Sequence, residues 1–317
     1  MNKLIIIISF FSIFYVYSQS LEGVDVIVSN YHHIKNIDEL SNKIKTDFYS
    51  ERERVRAIYT WIVNNIRYDN HYLIPPEFTI YTSQKEYKEQ SKIRIKTLAV
   101  NTFNSKKGIC NNYASLFYQL CINLGIKCEI VVGFAKNKVT ATTSNTISSL
   151  SSNHAWNKVL IDNKYYLIDT TWSRNIIPNK KGYIKIINYD YFLTNPYLFV
   201  LDHYPKHFED SLINNHIPVV SFINYPRIFI KGYKGMRLIR PIKSSINKSK
   251  KSNTKFIFQI SKPIEKVSYY LGNQFHNNIS YDYNNNFLTF DLDLKKSKDN
   301  NLTLYINNEA ICSYWLK

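Results

Sequence analysis

The chain has 317 residues, 44 % of them hydrophobic, and a formal net charge of +17, so it can bury a real core, has room for two modest domains and is not a disordered polymer. Its 41 basic residues are scattered among Asn, Ile and Tyr without one concentrated tract, and no zinc-finger spacing or other nucleic-acid signature occurs, which argues against a nucleic-acid partner. Four cysteines in a chain of this size do not make a disulfide scaffold, and Cys121 and Cys128 are expected to be buried free thiols.

At the start, Lys3, the apolar run Leu4 to Val16 and the small Ser18 before Gln19 read as a cleavable signal peptide over residues 1–18. The mature protein is therefore expected to be exported, to the periplasm or beyond. No later stretch is apolar enough to cross a bilayer. Asp38 to Phe48 predicts a short amphipathic helix. A second helix follows, opened by a Ser50/Glu53 capping box and marked on one face by Val55, Ile58, Ile62 and Ile66, with Trp61 packing beside that face. Tyr68 to Asn104, with Pro75, Pro76 and the mixed-charge run Lys85 to Lys96, has no sustained period and reads as a surface excursion containing one short helix. Lys106 and Lys107 form a solvated basic turn.

Gly108 and Ile109 break the polar run, and Ala114, Phe117, Cys121 and Leu124 then recur at helical spacing until Gly125 stops the helix. Cys110 sits in its first turn. There the positive end of the helix dipole and unpaired backbone N–H groups favour thiolate over thiol. Lys127 to Phe134 is a buried strand, and Asn137 to Asn153 is a polar loop beside the expected cleft. Asn153 to Trp172 holds two β-prone runs around Asp162-Asn163, a dipeptide suited to a two-residue hairpin turn. That turn pairs Ile161 with Lys164. Carried along the strands, the register sets His154 opposite Thr171 and Trp156 opposite Asp169, with His154 and Asp169 diagonal neighbours roughly 7 to 8 Å apart at Cα. A bulge would move Asp169 to the other face. His203, beside Tyr204 and Pro205, reads as structural. Pro218 and Pro226 mark a compositional change, so the expected division is a core domain over 19–217 and a β-rich domain over 218–317. In the latter, Arg227 to Ile230, Lys255 to Ile260, Lys266 to Leu271, Phe287 to Leu292 and Leu302 to Ile306 are spaced as a small β-sandwich.

A cysteine at a helix start, a histidine opening a strand and an aspartate on the next strand are the parts of thiol acyl chemistry. The stretches RAIYTWIVNNIRYD, GICNNYASLFYQLC, NHAWNKVLIDNKYYLIDTTW and FLTNPYLFVLDHYP together resemble the transglutaminase-like superfamily of the papain-like fold, over about residues 40–210, and most resemble bacterial members similar to the kyphoscoliosis peptidase. The resemblance implies an α+β core in which a Cys-bearing helix packs on an antiparallel sheet. It also implies Cys110 as nucleophile, His154 as general base and Asp169 as orienting acid. Asn112 departs from the small residue usual there and is expected to narrow the floor of the cleft. Nothing resembles the acidic calcium loops of cross-linking transglutaminases, so neither metal nor cofactor is expected. Peptide or protein amide bonds are the expected substrate, with hydrolysis favoured over amine cross-linking. A catalytically inactive module that binds a cell-surface peptide or polymer is the alternative. No oligomeric state is implied.

Overall fold

A computed structural model describes residues 21–71, 81–136, 151–179, 182–248, 253–294 and 299–317. The expected signal peptide and residues 137–150 of the polar loop lie outside them. The helices that shape the site are α1 (Leu21–Ser29), α2 (Ile37–Asp47), α3 (Glu51–Asn65), α4 (Gln84–Ser105) and α5 (Cys110–Asn123). Two short strands, β1 (Arg67–Tyr68) and β2 (Lys107–Gly108), pair in parallel just before α5.

The capping box that opens α3 is reciprocal: Glu53 N–H donates to Ser50 Oγ at 3.2 Å, and Ser50 N–H donates to Glu53 Oε2 at 3.0 Å. The expected single apolar face is an understatement, because every residue from Val55 to Val63 is buried. Even Arg56 is enclosed. Its guanidinium is bidentate to Asp25 of α1, with Nε–Oδ1 at 2.9 Å and Nη2–Oδ2 at 2.7 Å, and lies 3.5 Å from the Tyr189 ring centroid. A charge that sequence periodicity would place at the surface instead anchors α1, which the pattern did not predict, onto α3.

The segment before the cysteine also departs from expectation. In place of one short helix there is α4, 22 residues long and capped at Ser83. Only Leu98, Ala99, Thr102 and Phe103 of it are buried, so its apolar period is confined to the last turns and is invisible over most of its length. Phe103 stacks on Trp61 at 5.1 Å, which makes Trp61 core packing. Lys106 is not a solvated turn residue. It closes α4 in a left-handed conformation, with φ of 55°, and lays its ammonium 3.5 Å from the Phe103 ring, where burial lowers its pKa to about 8.

The core sheet has the order β5-β4-β3-β8, antiparallel throughout, from β3 (Cys128–Ala135), β4 (His154–Ile161), β5 (Lys164–Ile168) and β8 (His203–Pro205). A separate hairpin, β6 (Arg174–Asn179) with β7 (Gly182–Ile187), lies between β5 and β8 in the chain. Asp162 and Asn163 both have positive φ, 48° and 61°, as a type I′ turn requires, and the expected register runs from Ile161↔Lys164 to Asn157↔Ile168. The ladder then stops. The expected rungs at Trp156/Asp169 and His154/Thr171 do not form, because Asp169 N–H turns away to donate to Tyr191 O at 3.0 Å.

From Arg227 to Leu316 the chain forms two further sheets. One contains Met236–Arg240, Thr254–Ile260, Phe287–Leu292 and Asp282–Asn284. The other is built on Glu309–Leu316, Asn301–Ile306 and Val267–Leu271. Phe256, Phe258, Phe290 and Tyr314 fill the space between them. Glu309–Leu316, absent from the expected strands, is central to its sheet, bonded to Asn301–Ile306 on one side and to the short strands Arg227–Ile228 and Ser245–Ile246. All four cysteines are buried and free, and among the described residues no helix is long and apolar enough to cross a membrane.

Gly133 of β3 sets how closely β8 can approach. A Cβ there would collide with the Tyr204 carbonyl, the Trp156 indole and the Pro205 backbone. Gly133→Ala is expected to cost about 1–3 kcal/mol in urea denaturation by forcing β8 outward. A change below about 0.5 kcal/mol would mean that β8 is not held against Gly133.

Candidate active site

Cys110 is the first residue of α5 and is 9 % exposed. Ile109, the preceding cap, has no side-chain oxygen to offer the helix end. Asn112 compensates from inside the helix: its Oδ1 accepts Ile109 N–H at 3.1 Å, and its Nδ2 donates to Thr102 Oγ1 of α4 at 2.9 Å. The expectation that Asn112 narrows the cleft floor is thus corrected. Its side chain is wholly buried between α5 and α4, and it fits because Gly108 has no Cβ to occupy the same space. Among the described residues the Cys110 N–H has no backbone partner, as the first N–H groups of a helix do not.

His154 opens β4 opposite Gly133, and its Nε2 lies 2.8 Å from Asp169 Oδ2. Asp169 reaches it from beyond the end of β5. The carboxylate is fixed by an Asx turn in which Oδ1 accepts Thr171 N–H at 2.7 Å and Trp172 N–H at 3.3 Å. With Nε2 engaged, Nδ1 is the imidazole nitrogen left for Cys110. Burial by itself would drive His154 neutral, but the charge and hydrogen bond of Asp169, followed by Cys110, outweigh it and raise the pKa to about 10. For Asp169, burial acts upward, and His154 and then His203 hold the carboxyl far below its ordinary range.

Two neighbours escaped the sequence reading. His203, taken as structural, joins the same network: Nε2 lies 3.1 Å from Asp169 Oδ2 and Nδ1 lies 2.6 Å from Asp202 Oδ1, while Tyr191 donates to Asp202 Oδ2 at 2.7 Å. Because both ring nitrogens face carboxylates, the ring suits the doubly protonated form, and against the opposing effect of burial Asp202 and Asp169 raise its pKa. Phe199 stacks on the ring at 4.3 Å and Trp172 meets it edge-on at 4.6 Å. The second neighbour is Tyr68, which the parallel β1–β2 pairing carries beside the cysteine. Burial raises its phenol pKa most, and the proximity of Cys110 and Asp169 adds to that. Tyr68 sat in the quoted stretch IRYD, but only its pairing with the residues before Cys110 gives it a role.

His154, Asp169 and His203 are also the group of potential metal ligands among the described residues. Both imidazoles converge on the same oxygen of Asp169, at 2.8 and 3.1 Å, so the three donors are spent on one another at hydrogen-bond distances. The arrangement suits proton handling beside a thiol.

A family model for the transglutaminase-like superfamily matches residues 38–170, a span that contains Cys110, His154 and Asp169 and ends before Asp202 and His203. The kyphoscoliosis peptidase of Homo sapiens is 29 % identical over 188 residues, covering 59 % of this chain and 26 % of that protein. Its counterpart in Mus musculus is 25 % identical over 251 residues, covering 76 % and 35 %. The chain thus spans about a quarter to a third of the length of these curated relatives. Among solved structures, a protein from Cytophaga hutchinsonii with a provisional assignment as a cysteine protease overlaps 48 % of this chain and 40 % of its own, at 22 % identity and a TM-score of 0.30. Residues 38–170, in which the cysteine-bearing helix packs on the antiparallel strands β3 to β5, match the transglutaminase-like superfamily as a domain.

Proposed function

We propose that the protein is an exported cysteine peptidase that hydrolyses peptide or protein amide bonds through Cys110, His154 and Asp169. The observation that carries this reading is the buried His154–Asp169 pair at 2.8 Å, with Cys110 of the first turn of α5 beside the imidazole. In the proposed reaction Cys110 sulfur attacks the scissile carbonyl while His154 Nδ1 holds the thiol proton and Asp169 holds the ring. The developing oxyanion accepts from Cys110 N–H, with the Tyr68 hydroxyl as second donor. On collapse the C–N bond breaks, His154 protonates the departing amine, and a thioester forms. Water, deprotonated by the same imidazole, then releases the acid and restores the thiol. Hydrolysis needs only solvent at the thioester, whereas cross-linking also needs a second site for an amine.

The first test is digestion of a mixed-sequence peptide library by the full chain. Cys110→Ala is expected to abolish cleavage, by at least about a thousandfold, while the thermal midpoint moves by no more than about 3 °C. Cleavage retained in that variant would remove Cys110 as nucleophile, and acyl transfer to an added amine in excess of hydrolysis would replace the reaction. Iodoacetamide is expected to label Cys110 faster in the native than in the denatured protein. Slower labelling of the native protein would support the inactive binding module.

Export rests on the apolar run Leu4 to Val16. N-terminal sequencing of the released protein should begin at or near Gln19, and a mature chain that keeps Met1 would overturn it.

The shifted groups also set a pH dependence. His154, raised from 6.5 to about 10, stabilises the fold fully below about pH 6.5 and loses that contribution as pH rises through about 10. Asp169, lowered from 3.8, contributes fully above about pH 4 and loses its contribution as pH falls through its folded value. The difference in thermal midpoint between the unmodified chain and His154→Gln should therefore be greatest between about pH 4 and 6.5 and shrink toward pH 10. Growth of that difference above pH 7 would mean that His154 is buried neutral.

A further inference from the structure

A cavity of about 440 Å³ opens behind Trp172, lined on the core side by Trp172 and Tyr191 and on the C-terminal side by Arg227, Phe229, Lys231 and Glu309. Two of its charged groups satisfy each other, because Lys231 Nζ lies 2.5 Å from Glu309 Oε1. Arg227 is different. It is partly buried on the short strand Arg227–Ile228, its guanidinium lies 4.5 Å from the Phe229 ring centroid, and it makes no side-chain hydrogen bond or ion pair with any described residue. Asp202, the carboxylate whose charge reaches it, is already occupied by the Tyr191 hydroxyl at 2.7 Å and by His203 at 2.6 Å. Burial lowers the guanidinium pKa, and neither Tyr191 nor Asp202 restores it.

An arginine partly withdrawn from water without a hydrogen-bonded carboxylate is costly, and its planar fork is matched by one. Aromatic walls strengthen such a contact by excluding water. The cavity also shares a wall with the candidate catalytic centre: the Trp172 ring that lines it lies 5.4 Å from the His154 ring and 4.6 Å from that of His203. A group held by Arg227 would therefore be separated from the imidazole by one indole.

We propose that this cavity is a subsite for a carboxylate of the bound peptide, either an acidic side chain or a free C-terminus, held by Arg227 beside Trp172 and Tyr191. The identification of the ligand as a peptide rests on the peptidase reading. The anion-binding role of Arg227 does not. It gives the C-terminal β-rich region a direct part in choosing the substrate.

The test uses the full chain carrying Cys110→Ala, which binds without turnover, equilibrated with pools of random-flanked peptides. The pools have Glu or Gln at one fixed central position, and each is made with a free or an amidated C-terminus. Retention is read by mass spectrometry. The amidated Glu pool is expected to be retained over the amidated Gln pool on the order of tenfold if a side chain is recognised, and free over amidated Gln peptides by the same factor if the C-terminus is. Adding Arg227→Gln should bring either ratio close to one, and Arg227→Lys, which keeps the charge and loses the fork, should bring it partway. Equal retention of all pools, including retention of none, overturns the proposal. So does a preference that survives Arg227→Gln in a variant whose circular dichroism is unchanged, and if Arg227→Gln fails to fold, an undiminished preference in Arg227→Lys does the same. Iodoacetamide labelling of the chain with Cys110 intact separates the two readings: an acidic preference that depends on Arg227, together with no native enhancement of labelling, would leave the subsite standing and remove the peptidase.

Discussion

The Asp169 carboxylate is the charge around which the site is organised. It is 1 % exposed, a position in which an unpaired anion would be very costly, and it persists because four donors meet it. Thr171 and Trp172 supply backbone N–H groups to one oxygen, and His154 and His203 share the other. The four donors come from three requirements of the fold: Thr171 and Trp172 from the Asx turn after β5, His154 from the start of β4, and His203 from β8 on the far side of β3. Loss of any one leaves a buried charge short of a partner, so the loop and two strands are constrained together.

The aromatic residues around this carboxylate make the constraint effective. Trp156, Trp172, Tyr191 and Phe199 surround the His203 ring and keep water from it, which strengthens every hydrogen bond in the Tyr191–Asp202–His203–Asp169–His154 series. That layer does not belong to the core region alone. Ile230 packs into the same cluster as Trp156, Tyr191 and Phe199, and Leu198 and Leu201 pack against the core of the C-terminal sheets. Lys136, at the end of β3, adds a polar tie: its buried ammonium donates to the carbonyls of Phe222 and Tyr225, and burial brings its pKa to about 7. The β-rich region thus braces the back of the site.

The candidate site is buried on the side of the imidazoles and the thiol and open to solvent on the side of Tyr68. His154, Asp169 and His203 are buried and mutually fixed, Cys110 is buried beside them at 9 % exposure, and Tyr68 is 45 % exposed.

Local chemistry carried much of this in the sequence. The Ser50/Glu53 box, the Asp162-Asn163 turn, the register from Ile161/Lys164 as far as Asn157/Ile168 and the start of a helix at Cys110 all depend on neighbours a few residues apart, and each formed where the pattern placed it, whereas the rungs expected beyond Asn157 did not. The family resemblance rests on the same stretches. What the pattern could not supply were contacts between distant segments. Arg56 reads as a surface charge until Asp25 is brought to it, most of α4 has no apolar face to reveal it, and Asn112 turns toward a threonine in another helix. His203 becomes part of the site only because β8 pairs with β3 at Gly133, and Tyr68 only because β1 runs beside the residues before the cysteine. Periodicity and turn chemistry are short-range and can be read along a chain, whereas the partner that satisfies a buried charge is chosen by packing, which exists only once the chain has folded.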